Sequence, residues 1–258
     1  MHQFIQKVAK HFENDLTTLV LRLLIPFVLV WLMRVVFYFN NTDFLTIENW
    51  KSELPDLVWG SLIFDASNLA FTFGLFVILS LIPFRIREKK WYQSVLFWYF
   101  VVAVVVLVIL NITDSIYFHY ASRRVTSDEF SYFNNDNTFL IFLKGIVENW
   151  YLVLLGIGLI VLSIRMYRRI PYNSLKLKSL IFYPTNTIIF VLSVLMLIVA
   201  MRGGTSRAIR PITLSNASQF VESPIKSYIV LNSPFCIIKT LKKEQINYTK
   251  YFSESELD

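Results

Sequence analysis

Three of the ionisable side chains inside the long apolar stretches of this sequence lie at a similar depth: Arg34, Asp65 and Asp114. A charge in hydrocarbon costs at least ~2.5 kcal/mol on insertion scales, so such residues pair with one another or serve a function. At ~1.5 Å per residue, all three lie within roughly 6–12 Å of the same membrane surface. Their common depth predicts either a buried ion pair that fixes helix register, or a cavity for a charged lipid head group. In a third interpretation, Arg34 and Asp114 simply extend to water.

Further polar residues widen this cluster. Asn68 follows Asp65 by three residues and Asn111 precedes Asp114 by three, so each asparagine shares a helix face with its aspartate. In the next loop, two arginines either bind a phosphate group or form an ordinary solvated pair. The candidate substrate-binding cluster comprises Arg34, Asp65, Asn68, Asn111, Asp114, Arg123 and Arg124.

No catalytic residue or metal site is predicted from the sequence itself. There are only three histidines, and a ligand set of Asp114, His119 and Asp128 lacks the paired histidines that would make its spacing specific. The lone Cys236 excludes an intrachain disulfide. The Gly203 pair lacks the lysine and hydroxyl residue of a phosphate loop and instead predicts the end of a helix.

Five apolar runs must position the cluster, and each reaches the ~20 residues that a bilayer-spanning helix needs. They cover residues 16–39, 57–83, 92–118, 141–164 and 180–201. A chain that is 55% hydrophobic and 16% aromatic belongs to the membrane class. The predicted fold is therefore an all-α membrane protein, with a five-transmembrane-helix bundle over residues 1–201. The first run ends in bulky aromatics, which is typical of a retained helix rather than a cleaved signal peptide. A short amphipathic lead precedes it.

The distribution of charge predicts the orientation of this bundle. Basic residues concentrate in the loops after the second and fourth runs, which should be cytoplasmic. They are Arg85, Arg87, Lys89, Lys90, Arg165, Arg168, Arg169, Lys176 and Lys178. The N-terminus is then inside and residues 202–258 are outside. Because this outside face has no disulfide, we expect a multi-pass protein of a bacterial plasma (inner) membrane. Because the positive charge lies in short loops rather than on one basic face, nucleic acid is not an expected partner.

The segment after the fifth run, residues 202–258, is predicted to be an extracytoplasmic juxtamembrane helical linker. Apolar residues recur at helical spacing over 215–231, with Ser215 as the N-cap and Pro224 dividing the stretch into two short helices. Asn232 and Pro234 mark the start of another helix, whose apolar face includes Phe235. These amphipathic elements either lie on the outer membrane interface or pack against a further domain.

Several of these segments resemble one family. Residues 64–68, 111–118 and 123–130 resemble the corresponding regions of lipoteichoic acid synthase-like proteins. Residues 202–204, 210–212, 216–217 and 231–235 are similar to the juxtamembrane segment of the versions from Bacteroides-type bacteria. In those proteins this segment joins five transmembrane helices to an extracellular catalytic domain. The resemblance covers nearly the whole chain and depends on the order of the motifs rather than on one signature.

The resemblance implies an activity that this chain does not itself encode. Such proteins belong to the alkaline phosphatase and sulfatase superfamily and transfer phosphoglycerol or phosphoethanolamine-type head groups from a lipid to an envelope acceptor. A threonine nucleophile and a divalent metal, usually Mn²⁺, lie in the catalytic domain. The sequence ends at Asp258, before the first motif of that domain, so no catalytic position is carried over.

The resemblance therefore implies a membrane anchor and lipid-substrate-presenting portion of such a transferase. Its expected partners are the lipid bilayer, anionic phospholipid or glycolipid head groups, and a missing or separate catalytic domain. The alternative is a stand-alone, non-catalytic membrane protein that binds a lipid or a protein partner.

Overall fold

The computed structural model describes residues 2–129, 144–172, 179–205 and 211–241, with side chains for 14–129, 144–172, 180–205 and 211–241. Within these ranges the chain is helical and contains no strand. Five helices are long and apolar enough to cross a membrane. They are α1 (His2–Asn40), α2 (Trp50–Leu81), α3 (Lys90–Ala121), α4 (Trp150–Arg168) and α5 (Ser179–Arg202). For the described residues, the prediction of an all-helical fold with five helices of membrane-spanning length is confirmed.

The ends of three helices differ from the predicted runs. Helix α2 begins at Trp50, seven residues before the apolar run, because the polar turns ahead of Leu57 continue the same helix. Residues 144–148 form a short helical stretch that ends in a turn at Asn149, so α4 itself begins at Trp150; residues 141–143 lie outside the described ranges. Helix α1 extends to His2, so the predicted amphipathic lead is continuous with the first span.

Helices α1, α2 and α3 contact one another and form the centre of the bundle. Helix α4 packs against α1 and α3, whereas α5 packs mainly against α2. Between them lies an apolar core rich in aromatic rings, including Phe73, Phe76, Phe100 and Tyr167. Close packing of such rings holds the central helices in one register.

Residues 211–241, called here the docked segment, pack against the end of the bundle where α1 and α3 finish and α2 begins. The segment contains 3₁₀ turns at Leu214–Phe220 and Pro224–Lys226, then helices α6 (Ser227–Val230) and α7 (Ser233–Thr240). A second apolar cluster joins it to the bundle. This cluster includes Phe37, Phe64, Phe118, Val230, Leu231 and Phe235.

Local capping explains where the elements near this segment start and stop. Helix α5 ends in a Schellman motif, in which the Gly204 and Gly203 N–H groups donate to the carbonyls of Val199 and Ala200. Gly203 has φ +80°, which suits glycine, and the predicted helix end is confirmed. The predicted start of α7 is also confirmed. Its cap is the side chain of Asn232, which accepts from the Phe235 N–H at 3.1 Å.

The predicted N-cap at Ser215 is wrong. The turn begins after Thr213, whose backbone N–H donates to the Asn216 side chain at 2.8 Å. Pro224 does divide the stretch, since it starts the second 3₁₀ turn. The first element is a 3₁₀ helix rather than an α-helix.

Candidate functional site

Two buried ion pairs lie beneath the docked segment. Arg34 of α1 pairs with Asp65 of α2, and Arg124, which follows α3, pairs with Asp114 at 2.5 Å. All four side chains are at most 7% exposed. Since a single uncompensated charge would be costly at this burial, each member depends on its partner.

Arg34 also binds the backbone of the docked segment. Its Nη1 donates to the carbonyls of Ile229, Val230 (2.8 Å) and Leu231 (3.1 Å), while Nη2 donates to Asp65. These carbonyls lie at the end of α6, where the last turn of a helix leaves its carbonyl groups without partners. The arginine therefore satisfies a helix end that would otherwise be buried without hydrogen bonds.

Arg124 binds the same turn from the side of α3. Its Nε and Nη2 donate to the Tyr228 carbonyl at 2.9 and 2.6 Å, and Nη2 donates to the Leu231 carbonyl at 2.9 Å. Its guanidinium carbon lies 3.4 Å from the centre of the Phe37 ring, a cation–π contact. The Leu231 carbonyl thus accepts hydrogen bonds from both buried arginines.

The two aspartates in turn hold the start of α7. Asp65 accepts from the Asn232 amide at 2.7 Å, and Asp114 accepts from the Ser233 hydroxyl at 2.7 Å. Asp114 also accepts from the Val125 N–H at 2.7 Å, which fixes the loop that carries its arginine. Carboxylates are favoured at a helix N-terminus. The ion pairs therefore contact the end of α6 and the start of α7 together.

The structure brings five of the seven predicted site residues into this network: Arg34, Asp65, Asn111, Asp114 and Arg124. Asn111 joins through a 3.2 Å hydrogen bond from the Ser233 hydroxyl. Burial rules out two of the interpretations drawn from the sequence. Arg34 and Asp114 do not extend to water, and Arg124 is not part of a solvated loop pair.

The other two predicted residues lie apart from the network. Arg123 is 52% exposed and pairs with Glu129 at 2.8 Å. Asn68 is fully buried, and its amide makes no hydrogen bond with the described residues. Arg123 therefore provides a matched surface control for its buried neighbour Arg124.

A second buried ionic cluster at the opposite end of the bundle was not predicted. Arg87 pairs with Asp15 and donates to the Asn186 side chain at 2.6 Å. Gln93 links it to Arg22, since the Gln93 amide donates to the Arg87 carbonyl and accepts from Arg22 at 3.1 Å. The sequence interpretation treated Arg87 only as a loop cation. Arg22 inside the first apolar run and Asn186 inside the fifth were the signals that could have revealed this cluster.

Two titratable groups of the docked segment have raised pKa values. A hydrogen bond to Glu53 at 2.6 Å raises the pKa of Lys226. Burial raises the pKa of the Cys236 thiol to about 12. Both groups are therefore held in their protonated forms while the segment is docked.

An apolar groove of about 210 Å³ opens between α1 and α2 beside this network. Trp31, Tyr38 and Trp50 line it, together with aliphatic side chains and the edge of Arg34. Trp and Tyr side chains of this kind are enriched at the membrane interface. The groove can accept an acyl chain, whereas the guanidinium beside it is already bound to protein oxygens.

The site contains ion pairs whose arginines donate to the chain's own backbone carbonyls and whose aspartates accept from the chain's own side chains and backbone. No protein-family model, curated protein or solved structure matches this chain. A functional assignment therefore depends on the geometry of the docked segment and on the sequence motifs.

Proposed function

We propose that this chain is a membrane anchor that holds its C-terminal segment rigidly against one end of a five-helix bundle. The observation that carries the proposal is the set of six hydrogen bonds, three from Arg34 and three from Arg124, to the backbone carbonyls of residues 228–231. A flexible linker would not require buried arginines, which are costly in a membrane protein.

A rigid joint suits an enzyme that acts on lipid head groups. Such an enzyme gains rate when its reactive groups are held at a fixed position relative to the substrate. Together with the sequence motifs, this supports the membrane region of a lipoteichoic acid synthase-like transferase of phosphoglycerol or phosphoethanolamine-type groups. In this proposal the bundle lies in a bacterial plasma membrane, with the N-terminus inside and the docked segment outside. The catalytic domain, with its Mn²⁺ or similar ion, is a separate or following unit.

The polar cluster holds the segment in this proposal, and a head group could reach Arg34 or Arg124 only by displacing backbone carbonyls. Presentation of a lipid substrate is assigned instead to the groove between α1 and α2, whose wall is almost wholly apolar. The alternative function is a stand-alone membrane protein that binds a lipid or protein partner. The contacts of the docked segment with its own bundle favour that alternative, because they satisfy the ion pairs without a further domain.

The test begins with the native gene product in its own membranes, detected with an antibody to residues 211–241. The transferase proposal expects a species far larger than 30.3 kDa. It also expects transfer of head groups from radiolabelled phosphatidylglycerol or phosphatidylethanolamine to fall at least tenfold in Arg124→Ala, but not in Arg123→Ala. A single band at 30.3 kDa without transfer would support the stand-alone alternative. Transfer that survives in Arg124→Ala would show that the enzyme does not need the rigid joint.

A further inference from the structure

A second apolar groove lies between α1 and α4, towards the end of the bundle opposite the docked segment. Its volume is about 350 Å³. Aliphatic and thioether side chains form nearly all of its wall, among them Leu21, Leu24, Val28, Leu32, Leu162 and Met166. These side chains are 42–50% exposed, so the groove opens outward rather than into the protein core.

The length of the groove matches one leaflet. Along α1 its lining runs from Leu21 to Leu32, and eleven residues at ~1.5 Å each give roughly 16 Å. Half of a ~30 Å hydrocarbon core is about 15 Å. A groove of this length can hold the acyl portion of a single lipid that extends from the middle of the bilayer to the head-group level.

A cation lies at the head-group end of this groove. Arg169 follows the last turn of α4, lines the groove, and forms no ion pair or side-chain hydrogen bond with the described residues. Its neighbours are engaged elsewhere. Arg168 lies over the Phe97 ring at 5.1 Å, and Arg22 donates to Gln93 and to the Ile170 carbonyl.

The groove between α1 and α2 provides an internal comparison. It is also apolar and contains an arginine, Arg34, but that guanidinium is bound to Asp65 and to carbonyls of the docked segment. A lipid in that groove would therefore find no arginine available to bind its phosphate. The groove between α1 and α4 therefore combines an acyl-sized channel with a cation that can bind a phosphate.

We propose that the groove between α1 and α4 binds one anionic glycerophospholipid, with an acyl chain along the helices and the phosphate on Arg169. A lipid without a compensating amine in its head group is preferred, because the arginine then meets a net negative charge. The lipid fills the space between the two helices on the side that protein does not cover. This site is independent of the head-group transfer proposed above.

The test is native mass spectrometry of the full chain in detergent, titrated with phosphatidylglycerol or with phosphatidylcholine of the same acyl chains. One phosphatidylglycerol should bind in preference to phosphatidylcholine. Arg169→Gln should weaken phosphatidylglycerol binding about fivefold, the effect of one arginine near an anionic head group. The matched control Arg168→Gln should change it less than twofold, and Arg169→Lys should retain the preference.

Filling the groove provides a second test that leaves every charge in place. Val28→Trp puts a bulky ring into the channel at a position that is 47% exposed and outside the buried core. We expect this variant to lose both lipids. Equal binding of the two lipids by the wild-type chain would show only a non-selective lipid contact and would overturn the proposal. So would equal losses in Arg169→Gln and Arg168→Gln, which would indicate a diffuse basic surface.

Discussion

At the level of single residues, the buried arginines act on the backbone rather than on a solvent-exposed ligand. Each guanidinium joins a carboxylate from the bundle to carbonyls of the docked segment. Charge-assisted hydrogen bonds of this kind are about twice as strong as neutral ones. Removing one member therefore affects two elements at once, because it also leaves its partner charge buried.

Arg124→Ala should release the docked segment. Leaving Asp114 unpaired costs about 3–5 kcal/mol, which favours the undocked form by at least about 100-fold. The only cysteine of the chain, Cys236, reports this change, because it is 1% exposed when docked. We expect the rate of Cys236 alkylation by a maleimide to rise by a similar factor, as followed by intact mass. Arg123→Ala removes a side chain that is 52% exposed and leaves Arg124 paired with Asp114, so Cys236 of this variant should be alkylated at the wild-type rate. Equal rates in both variants would contradict the assigned role.

Replacing both members of the other pair should be milder than replacing one. Arg34→Met and Asp65→Leu each leave a buried charge without its partner, whereas the double variant leaves none. We expect each single variant to lose about 3–5 kcal/mol of stability and the double variant to lose less than either. Thermal unfolding in detergent measures this. Additive losses would mean that the two side chains do not interact.

Alkaline pH should weaken docking. Burial holds the pKa of Cys236 at about 12, above its ordinary value near ~8.5, so the docked form retains a proton that the released form loses. The contribution of the protonated Cys236 thiol to the stability of the docked form is complete below pH ~8.5 and falls as the pH rises towards 12. The raised pKa of Lys226 acts in the same direction at higher pH still. A nitroxide spin label attached to Gln219→Cys should therefore become more mobile over this pH range. The increase should be smaller when Cys236→Ser is also present.

At the level of elements, the sequence predicts what depends on neighbouring residues. The five spans follow from run length, and the end of α5 and the start of α7 follow from Gly203 and Asn232. The pairing of the buried charged side chains does not follow from the sequence. The sequence placed Asp114 at the depth of Arg34, yet helix rotation and the docked segment bring Arg124 to it instead. Asp15 and Arg87, 72 residues apart, likewise meet only after the bundle forms.

Helix α4 depends on one small residue for its contact with α3. A Cβ atom at Gly156 would lie 2.2 Å from Ile112 Cδ1 and 3.1 Å from Val108 Cγ1, whereas nothing lies within 4 Å of the same position at Gly158. Small residues let helices approach closely in membranes. Gly156→Leu should therefore lower stability by about 1–3 kcal/mol through overpacking, and Gly158→Leu should be nearly neutral. Thermal unfolding of the two variants in detergent tests this. Equal effects would mean that α4 does not pack as described.

At the level of the whole molecule, the two ends of the bundle differ in charge and in architecture. One end carries the docked segment and its two ion pairs. The other carries the Asp15–Arg87 pair and the exposed Arg165, Arg168 and Arg169 at the end of α4. Basic loops are retained in the cytoplasm, so this asymmetry supports the proposed orientation with the docked segment outside.

Two exposed positions at opposite ends of α2 can test that orientation in intact cells. Asp43 precedes α2 and Lys90 begins α3, and both are exposed. In a Cys236→Ser background, which has no other cysteine, a membrane-impermeant maleimide should label Asp43→Cys in intact cells and Lys90→Cys only after permeabilisation. The reverse pattern would place the docked segment in the cytoplasm. It would then rule out an extracytoplasmic transferase, because the joint would hold any following domain on the wrong side of the membrane.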